Sequence, residues 1–303
     1  MPKKIAILIT ILLACCQAVF AAGLSEPASV AHRGQLYRVT HDGRTSYLFG
    51  TIHVGKDGFY PLDAVVSRAL LDSKALVIEL DIRQDAPFQL ALARHGRYPD
   101  GDTVQRHLSS ATLRLTVQAL ARAGMSLQSV QQYKPWLIAN LLVGAEMEVH
   151  GFQRSQAVEY ALLAAAKSQD KAVRELESAD YQLSLFETLD ERQQEQYLLE
   201  NLADLADGVS LKRSTALIDA WNAADAPGIR AAWQSATSGD TISAGFMNRV
   251  LLGKRNPEMA NNIERIMQQE QAAFVGVGLL HLMGDDGLPQ LLRRRGYQVE
   301  QLY

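Results

Sequence analysis

The feature that most constrains the fold is a Gly-x-x-His motif that occurs twice, near opposite ends of the chain. Residues 50–53 read Gly-Thr-Ile-His and residues 278–281 read Gly-Leu-Leu-His, so the motifs end in His53 and His281. Each motif follows an apolar run typical of a buried strand, where a Gly lets the backbone turn tightly or lets a ligand come close. Ligands in open α/β sheets bind outside the carboxyl ends of the strands. The pattern therefore predicts a sheet built from both chain ends, with the histidines meeting as metal ligands or as an acid and a base.

The segments around the motifs predict the rest of the architecture. Strand patterns at 36–40 and 47–51 are joined by Asp42-Gly43, the usual cue for a β-hairpin. Further strand patterns occur at 76–81, 172–176, 273–277 and 297–302. Helical spacing of apolar residues occurs at 61–73, 110–123, 135–149, 154–168, 179–206, 210–222, 226–237, 256–270 and 286–295. We therefore predict an α/β fold whose central mixed sheet comes from N- and C-terminal segments, with a large helical insertion at about 103–270.

The first 21 residues have the pattern of a secretory signal peptide. Lys3 and Lys4 precede an apolar run at 5–14, and residues 19–21 fit the small-x-small cleavage rule. Two alternatives stay open: a short membrane anchor, and a lipoprotein in which residues 12–15 act as a lipobox and Cys15 is lipidated. All three predict an exported protein, periplasmic or attached to the envelope, whose functional domain spans 22–303.

Composition narrows the chemistry of any site. The two cysteines, Cys15 and Cys16, fall inside the predicted signal, which excludes a Cys nucleophile and thiolate ligands from the folded domain. A metal would be held by His, carboxylate or amide oxygen, which suits Mn, Co, Fe or Zn. The formal net charge of −3 gives no electrostatic reason to expect nucleic acid binding, and membrane contact is expected only through the N-terminal segment or a lipid anchor. His-Glu-x-x-His, Gly-x-Ser-x-Gly, Walker and Rossmann motifs are absent.

Two carboxylates lie at the end of the strand pattern 76–81. Glu79 interrupts an apolar run, and a buried carboxylate has to be paired, bound to a metal or exposed at the strand end. Asp81 is two residues further on, so the two side chains would share one face of the strand. The alternative is that both simply end the strand beside a basic residue such as Arg83.

Further candidates follow other predicted strands or precede helices. Glu177 follows the strand pattern 172–176, with N-terminal capping of the next helix as the alternative. Arg255 could bind a substrate carboxylate or stabilise an oxyanion, and Asn256 is expected to cap a helix that has Pro257 at its first position. The remaining histidines have no motif context and are assigned to the surface: His32, His41, His95, His107 and His150.

Together these segments resemble the TraB/GumN family, which includes the pheromone-shutdown protein PrgY and the Tiki Wnt-inactivating proteases. The resemblance is carried, in order and spacing, by residues 47–55, 77–81, 134–136, 175–182, 255–259 and 275–288. It extends from about residue 36 to the C-terminus.

The resemblance implies a fold shared with erythromycin-esterase-like and ChaN-like proteins, and a metal-dependent hydrolase that is proteolytic in the Tiki branch, with Mn or Co as the metal. Carried over to this sequence, His53, Glu79 and His281 form the core of the site, while Glu177 and Arg255 fall on other family positions. One departure is that the family usually has Gly, an apolar residue and Asp where residues 151–153 read Gly-Phe-Gln. Gln153 would then weaken the site or set its specificity.

These observations predict a metal-dependent hydrolase that cleaves a peptide or protein. His53, His281 and Glu79 would bind the metal, Glu177 or Asp81 would accept a proton, and Arg255 would stabilise the oxyanion. The alternatives are a metal-free hydrolase in which a His activates water, a protein that sequesters a peptide without cleaving it, and a purely structural envelope protein.

Overall fold

The computed structural model describes residues 31–303, and the centre of this part of the chain is a six-stranded mixed sheet. Its strands are β1 (Leu36–His41), β2 (Arg44–Thr51), β3 (Ala75–Ile78), β4 (Ala172–Glu175), β5 (Ala273–Gly278) and β6 (Gln298–Gln301). Their order across the sheet is β4-β3-β5-β2-β1-β6. Strands β4, β3, β5 and β2 are parallel, and β1 is antiparallel to β2 and β6. The predicted mixed sheet formed from both ends of the chain is therefore confirmed.

The sheet begins with the predicted hairpin. Strands β1 and β2 pair from Leu36 opposite Phe49 to His41 opposite Arg44. Between them Asp42 and Gly43 have φ values of 47° and 73°. A two-residue hairpin turn that matches the strand twist requires positive φ at both positions, which is why Asp-Gly favours it.

Strand β5 is inserted between two strands from the N-terminal part of the chain. Thr51 of β2 lies opposite Gly278, and Ile78 of β3 lies opposite Gly276. All six residues of β5 are buried, as expected for a parallel strand covered on both faces. Because the four parallel strands run in the same direction, the segments that leave their carboxyl ends meet at one edge of the sheet.

Helices cover the sheet and fill the long segment between β3 and β5. They are α1 (Ala64–Asp72), α2 (Asp85–His95), α3 (Ser110–Arg122), α4 (Leu127–Val130), α5 (Pro135–Val149), α6 (Val158–Ser168), α7 (Ala179–Ser184), α8 (Glu191–Ala206), α9 (Val209–Asn222), α10 (Ala226–Thr237), α11 (Ile242–Phe246), α12 (Arg255–Glu270) and α13 (Leu288–Arg294). Short 3₁₀ turns occur at Val104–Arg106, Arg154–Gln156, Leu185–Thr188 and Leu279–Leu282, and a π-helical turn at Met247–Leu252.

Several predicted boundaries are wrong. The single helix predicted at 179–206 is broken, because Asp190 and Gln193 form a capping box that starts α8. Strand β3 ends at Ile78, before Glu79, and not at residue 81. Helix α2 has no counterpart among the predicted helices, because only Ala91 and His95 of its residues are buried and no apolar stripe forms.

Two apolar clusters support these elements. One surrounds the sheet and includes Phe49 and Phe274. The other lies among the helices between β3 and β5, where the rings of Trp136 and Phe186 stack with centroids 4.1 Å apart. Residues 32–303 form one compact unit.

Two histidines assigned to the surface are instead held by carboxylates. His95 is 6% exposed, and its ring nitrogens lie 2.9 Å from Asp180 and 3.1 Å from Glu187, so its assignment to the surface is wrong. His107 is partly buried between Asp102 and Glu191. Although burial opposes it, the hydrogen bonds to the two carboxylates raise the pKa of His107. These contacts join the segments near α2 and α3 to α7 and α8.

No helix within residues 31–303 is long and apolar enough to cross a membrane. The predicted signal peptide, its cleavage site and the lipidation site at Cys15 lie outside the described residues. Export to the periplasm or envelope therefore stays a prediction.

Candidate active site

The candidate site is assembled at the carboxyl edge of four neighbouring parallel strands. Glu177 follows β4, Glu79 directly follows β3, Gly278 ends β5, and His53 follows β2. His281 lies on the 3₁₀ turn that continues from β5. This is the edge at which ligands bind in open α/β sheets, and the structure brings the predicted residues together there.

His53 is oriented by a carboxylate on helix α6. Its Nδ1 lies 2.8 Å from Oε1 of Glu159, which also accepts a 2.6 Å hydrogen bond from the Thr51 hydroxyl. Because an ionised carboxylate only accepts hydrogen bonds, Nδ1 is the donor and Nε2 is left for a ligand. The charge of Glu159, with the hydrogen bond between them, raises the pKa of His53 to about 9 against the opposing effect of burial. A metal at Nε2 would therefore have to displace a proton.

His281 is oriented in the same way by an amide. Its Nδ1 lies 2.5 Å from Oδ1 of Asn256, and the Asn256 amide group donates to the Asp286 carbonyl at 2.8 Å. Burial lowers the pKa of His281 to about 3, so its ring is neutral. Its Nε2 lies 3.7 Å from Oε1 of Glu79. The predicted capping role of Asn256 is wrong, since α12 begins at Arg255 and its N-cap is Lys254.

Glu79 is held between the backbone of β5 and a guanidinium. Its Oε1 accepts a 2.6 Å hydrogen bond from the Gly278 amide, and its Oε2 accepts one of 2.6 Å from Nη2 of Arg255. Burial acts to raise its pKa, but the charges of Arg255 and His53, the polar ring of His281 and the backbone hydrogen bond from Gly278 hold the pKa of Glu79 well below its usual range. The ionised form is therefore the one that the site stabilises.

Glu177 and Gln182 position Arg255. The Nε of Arg255 donates to both carboxylate oxygens of Glu177 at 3.0 and 3.1 Å, and its Nη2 donates to Oε2 of Glu177 at 2.6 Å. Gln182 adds a 2.9 Å hydrogen bond to the same oxygen. The alternative role of Glu177 as a helix cap is wrong, because Ser178 caps α7. Within residues 31–303 no hydrogen bond uses Nη1 of Arg255.

Asp81 lies in the loop after β3. Its carboxylate is bound by Arg83 through Nε at 2.8 Å and Nη2 at 2.6 Å. Because β3 ends at Ile78, Asp81 does not share a strand face with Glu79, and the predicted shared face is wrong. The pairing with a basic residue, which was the alternative, holds for Asp81.

Gln153 pairs with Gly55 through the backbone. The two residues exchange hydrogen bonds of 2.7 and 2.9 Å, and Gln153 is not among the residues that line the cavity beside His53. A carboxylate close to His53 comes instead from Glu159, six residues further along the chain.

Glu159 is the residue of the candidate site that sequence reasoning missed. It is 6% exposed, and its Oε2 is buried without a hydrogen-bond partner in the part of the chain that the structure describes. The signal was present, since Glu159 lies on the buried stripe of α6 with Leu162 and Leu163, three and four residues further on. An acidic residue on an apolar stripe requires a partner.

A family model matches residues 35–301 of the chain and describes the TraB/PrgY/gumN family. The chain belongs to the TraB/PrgY/gumN family. Similar proteins include the uncharacterized protein YbaP of Shigella flexneri and that of Escherichia coli K12. Each is 26% identical over 258 residues, which cover 82% of this chain and 88% of the relative. No solved structure matches the chain.

The donors of this TraB/PrgY/gumN site fit a divalent ion in their chemistry. Imidazole and carboxylate groups are common ligands of such ions, and the site contains two imidazoles and one carboxylate. Each imidazole also donates from Nδ1 to an oxygen acceptor, as metal-bound histidines usually do. Within residues 31–303 no three His, Cys, Asp or Glu side chains stand in an arrangement that could hold an ion as they are. The fit therefore rests on donor chemistry and on the adjacency of His53, Glu79 and His281.

Gly278 keeps the space between these donors open. A Cβ at this position would lie 3.2 Å from both Oε1 of Glu79 and Nε2 of His53. We expect Gly278→Ala to lower metal affinity and any hydrolytic activity by at least tenfold, because the added methyl group occupies the position between the donors. Isothermal titration with Mn²⁺ measures the affinity, and urea unfolding tests whether the fold is retained. An unchanged affinity would show that the donors do not converge beside Gly278.

Proposed function

We propose that this protein is a metal-dependent hydrolase that cleaves peptides. The observation that carries the proposal is the pair of histidines fixed through Nδ1, by Glu159 and by Asn256, on either side of the ionised Glu79. The family resemblance supplies the substrate class, since its Tiki branch is proteolytic.

His53, His281 and Glu79 would hold the ion, which we propose to be Mn or Co, with Zn or Fe as the alternatives. A divalent ion bound there supplies a Lewis acid that polarises a carbonyl and lowers the pKa of water. The partner that the site would accept is an extended peptide or an exposed segment of a protein.

Arg255 is the group placed to stabilise the oxyanion. It lines the same cavity as His53 and Glu79, Glu177 fixes its orientation, and its Nη1 is available to a substrate oxygen. A donor that is already oriented stabilises a developing charge without reorganisation.

Of the two candidate proton acceptors, we propose Asp81 and not Glu177. Asp81 lines the cavity, whereas the Glu177 side chain is 2% exposed and faces Arg255. Glu177 is therefore assigned a positioning role through Arg255.

The alternative is a protein that sequesters a peptide without cleaving it, as the resemblance to PrgY implies, and Gln153 modestly favours it. Glu159 nevertheless provides a carboxylate in contact with His53, which favours the hydrolase.

The decisive experiment combines metal analysis with peptide cleavage. The purified protein is incubated with a peptide library before and after chelation, new termini are identified by mass spectrometry, and the bound metal is quantified by elemental analysis. We expect cleavage that is lost on chelation and restored by Mn or Co. Cleavage that survives chelation would support the metal-free mechanism in which a His activates water, and peptides retained uncut would support sequestration.

Replacing Glu159 by Gln is expected to weaken metal binding and hydrolysis by about 10- to 100-fold, the usual effect of removing a partner that orients a metal-bound His. The amide retains the shape and its oxygen can still accept from Nδ1 of His53, but the negative charge that makes the imidazole a stronger ligand is lost. Isothermal titration with Mn²⁺ separates the effect on binding from that on turnover. Glu264→Gln is the matched control, because Glu264 is also a helical carboxylate but bonds Arg295 at 3.2 Å away from the cavity. Equal effects of the two variants would contradict the role of Glu159.

A further inference from the structure

The cavity that contains the candidate site has an apolar side made of exposed residues. Ile82, Phe88 and Tyr160 are 37%, 38% and 37% exposed, and all three line the cavity of about 440 Å³ that His53 and Arg255 also line. We call these three residues the apolar wall. Within residues 31–303, nine large apolar side chains are more than a third exposed, so a third of them are gathered at this one cavity. Exposed apolar side chains that gather at one cavity, unlike those scattered singly over a surface, are typical of a ligand-binding groove.

The apolar wall is built by the same elements that carry the site. Ile82 lies three residues after Glu79, Phe88 is in the first turns of α2, and Tyr160 directly follows Glu159 on α6. Consecutive Cα atoms of a peptide are about 3.8 Å apart. Because Arg255 and the apolar wall line one cavity, a peptide bound at Arg255 would extend along the cavity and present its side chains to the wall.

Most charged groups that line the cavity are paired within the protein. Asp81 is bound by Arg83 at 2.6 Å, Arg255 is bound by Glu79 at 2.6 Å, and Arg154 lies 3.5 Å from Glu148. The exception is Asp85, which within residues 31–303 accepts a hydrogen bond from Gln89 but is in no ion pair. An acidic substrate side chain would have to compete with the existing pairs for a cation. An apolar side chain meets no such competition, and its burial against the wall is favourable in proportion to the area removed from water.

We propose that the apolar wall binds an apolar side chain of the peptide substrate, next to the bond that the site cleaves. This inference rests on the proposed function and names its substrate class: peptides with a large apolar residue beside the scissile bond. Ile82, Phe88 and Tyr160 are then specificity-determining residues.

The test uses two fluorescent heptapeptides with an Ala-Gly background that differ only at the central residue, Leu in one and Ser in the other. Their affinities are measured by fluorescence anisotropy with the Glu79→Gln variant and with chelated wild-type protein, so that no cleavage interferes. We expect the Leu peptide to bind about tenfold more tightly, a typical discrimination by an apolar pocket. Phe88→Ser should remove this preference.

Leu90→Ser is the matched control. Leu90 lies on α2 two residues from Phe88 and is 72% exposed, but it does not line the cavity. We expect this variant to keep the preference for the Leu peptide. Equal affinities for the two peptides, no detectable binding of either, or a preference that survives Phe88→Ser would overturn the inference.

The experiment distinguishes failure of the apolar wall from failure of the proposed hydrolase. A preference for the Leu peptide without any cleavage by the wild-type protein would retain the apolar wall and reject the hydrolase. Cleavage that is indifferent to the central residue would retain the hydrolase and reject the wall.

Discussion

Replacing Glu79 by Gln is expected to lower the rate of peptide hydrolysis by about 10³-fold or more, the scale on which a single charge-stabilising group at a reaction centre acts. The amide oxygen can still accept from the Gly278 backbone or from Arg255, which each donate to Glu79 at 2.6 Å, so the fold should be retained. The negative charge that pairs with Arg255 and faces His281 is lost. Metal binding should fall with activity, because a neutral amide is a poorer ligand than a carboxylate for a divalent ion.

The matched control is Glu300→Gln, in which an exposed carboxylate that bonds Arg38 at 2.9 Å is replaced. Glu300 lies on β6, the edge strand at the opposite end of the strand order from β4 and β3. It should leave both turnover and metal content unchanged. Glu79→Asp adds a second test, since it keeps the charge but shortens the side chain that reaches the Gly278 amide. Wild-type turnover in Glu79→Gln would contradict any role of this carboxylate in the reaction.

The sheet could be predicted because its signals are local. Each signal lies within a stretch of ten residues or fewer. The signals are the apolar runs of strand length, the turn residues Asp42-Gly43 and the Gly-x-x-His motif near each end of the chain. The match between the motifs predicted a sheet formed by both ends of the chain, and this is confirmed: β2 pairs directly with β5, with Thr51 opposite Gly278.

The residues that orient the two histidines could not be predicted from local patterns. Glu159 is 106 residues from His53, and Asn256 is 25 residues from His281. The sequence around Asn256 gives a strong local signal for a helix cap, but the tertiary hydrogen bond to His281 determines its actual role. A side chain that accepts a hydrogen bond from Nδ1 of a histidine need not lie at any fixed distance from that histidine in the sequence. The sequence therefore identified His53 and His281 but not the residues that orient them.

The lack of a local sequence pattern also explains why helix α2 was not predicted. Helix prediction depends on an apolar stripe that faces a core, and α2 exposes Phe88 and Leu90 to solvent. Exposed apolar side chains weaken the periodic signal. One of them, Phe88, belongs to the apolar wall, whereas Leu90 does not.

Replacing Arg255 by Ala is expected to destabilise the protein by about 3–5 kcal/mol, as when one partner is removed from a buried ionic network. The Arg255 side chain is 9% exposed, and it is bonded at 2.6 Å to both Glu79 and Glu177, whose side chains are 12% and 2% exposed. Without the guanidinium, two carboxylates remain buried near each other with no cation between them. The free energy of unfolding, measured by urea denaturation at pH 7 in wild type and variant, gives the size of the effect.

Two further variants separate the loss of charge from the loss of geometry. Arg255→Lys restores a cation but not the planar fork that bonds Glu177 through both Nε and Nη2, so we expect only part of the stability to return. Glu177→Gln combined with Arg255→Ala removes one of the stranded charges, and the double variant should be more stable than the sum of the single effects by at least about 1 kcal/mol. Additive effects, or a loss below about 1 kcal/mol in Arg255→Ala, would mean that the carboxylates find other partners. Arg255 would then act on the substrate alone, whereas the predicted coupling makes it both the cation that stabilises this edge of the sheet and the donor that faces the cavity.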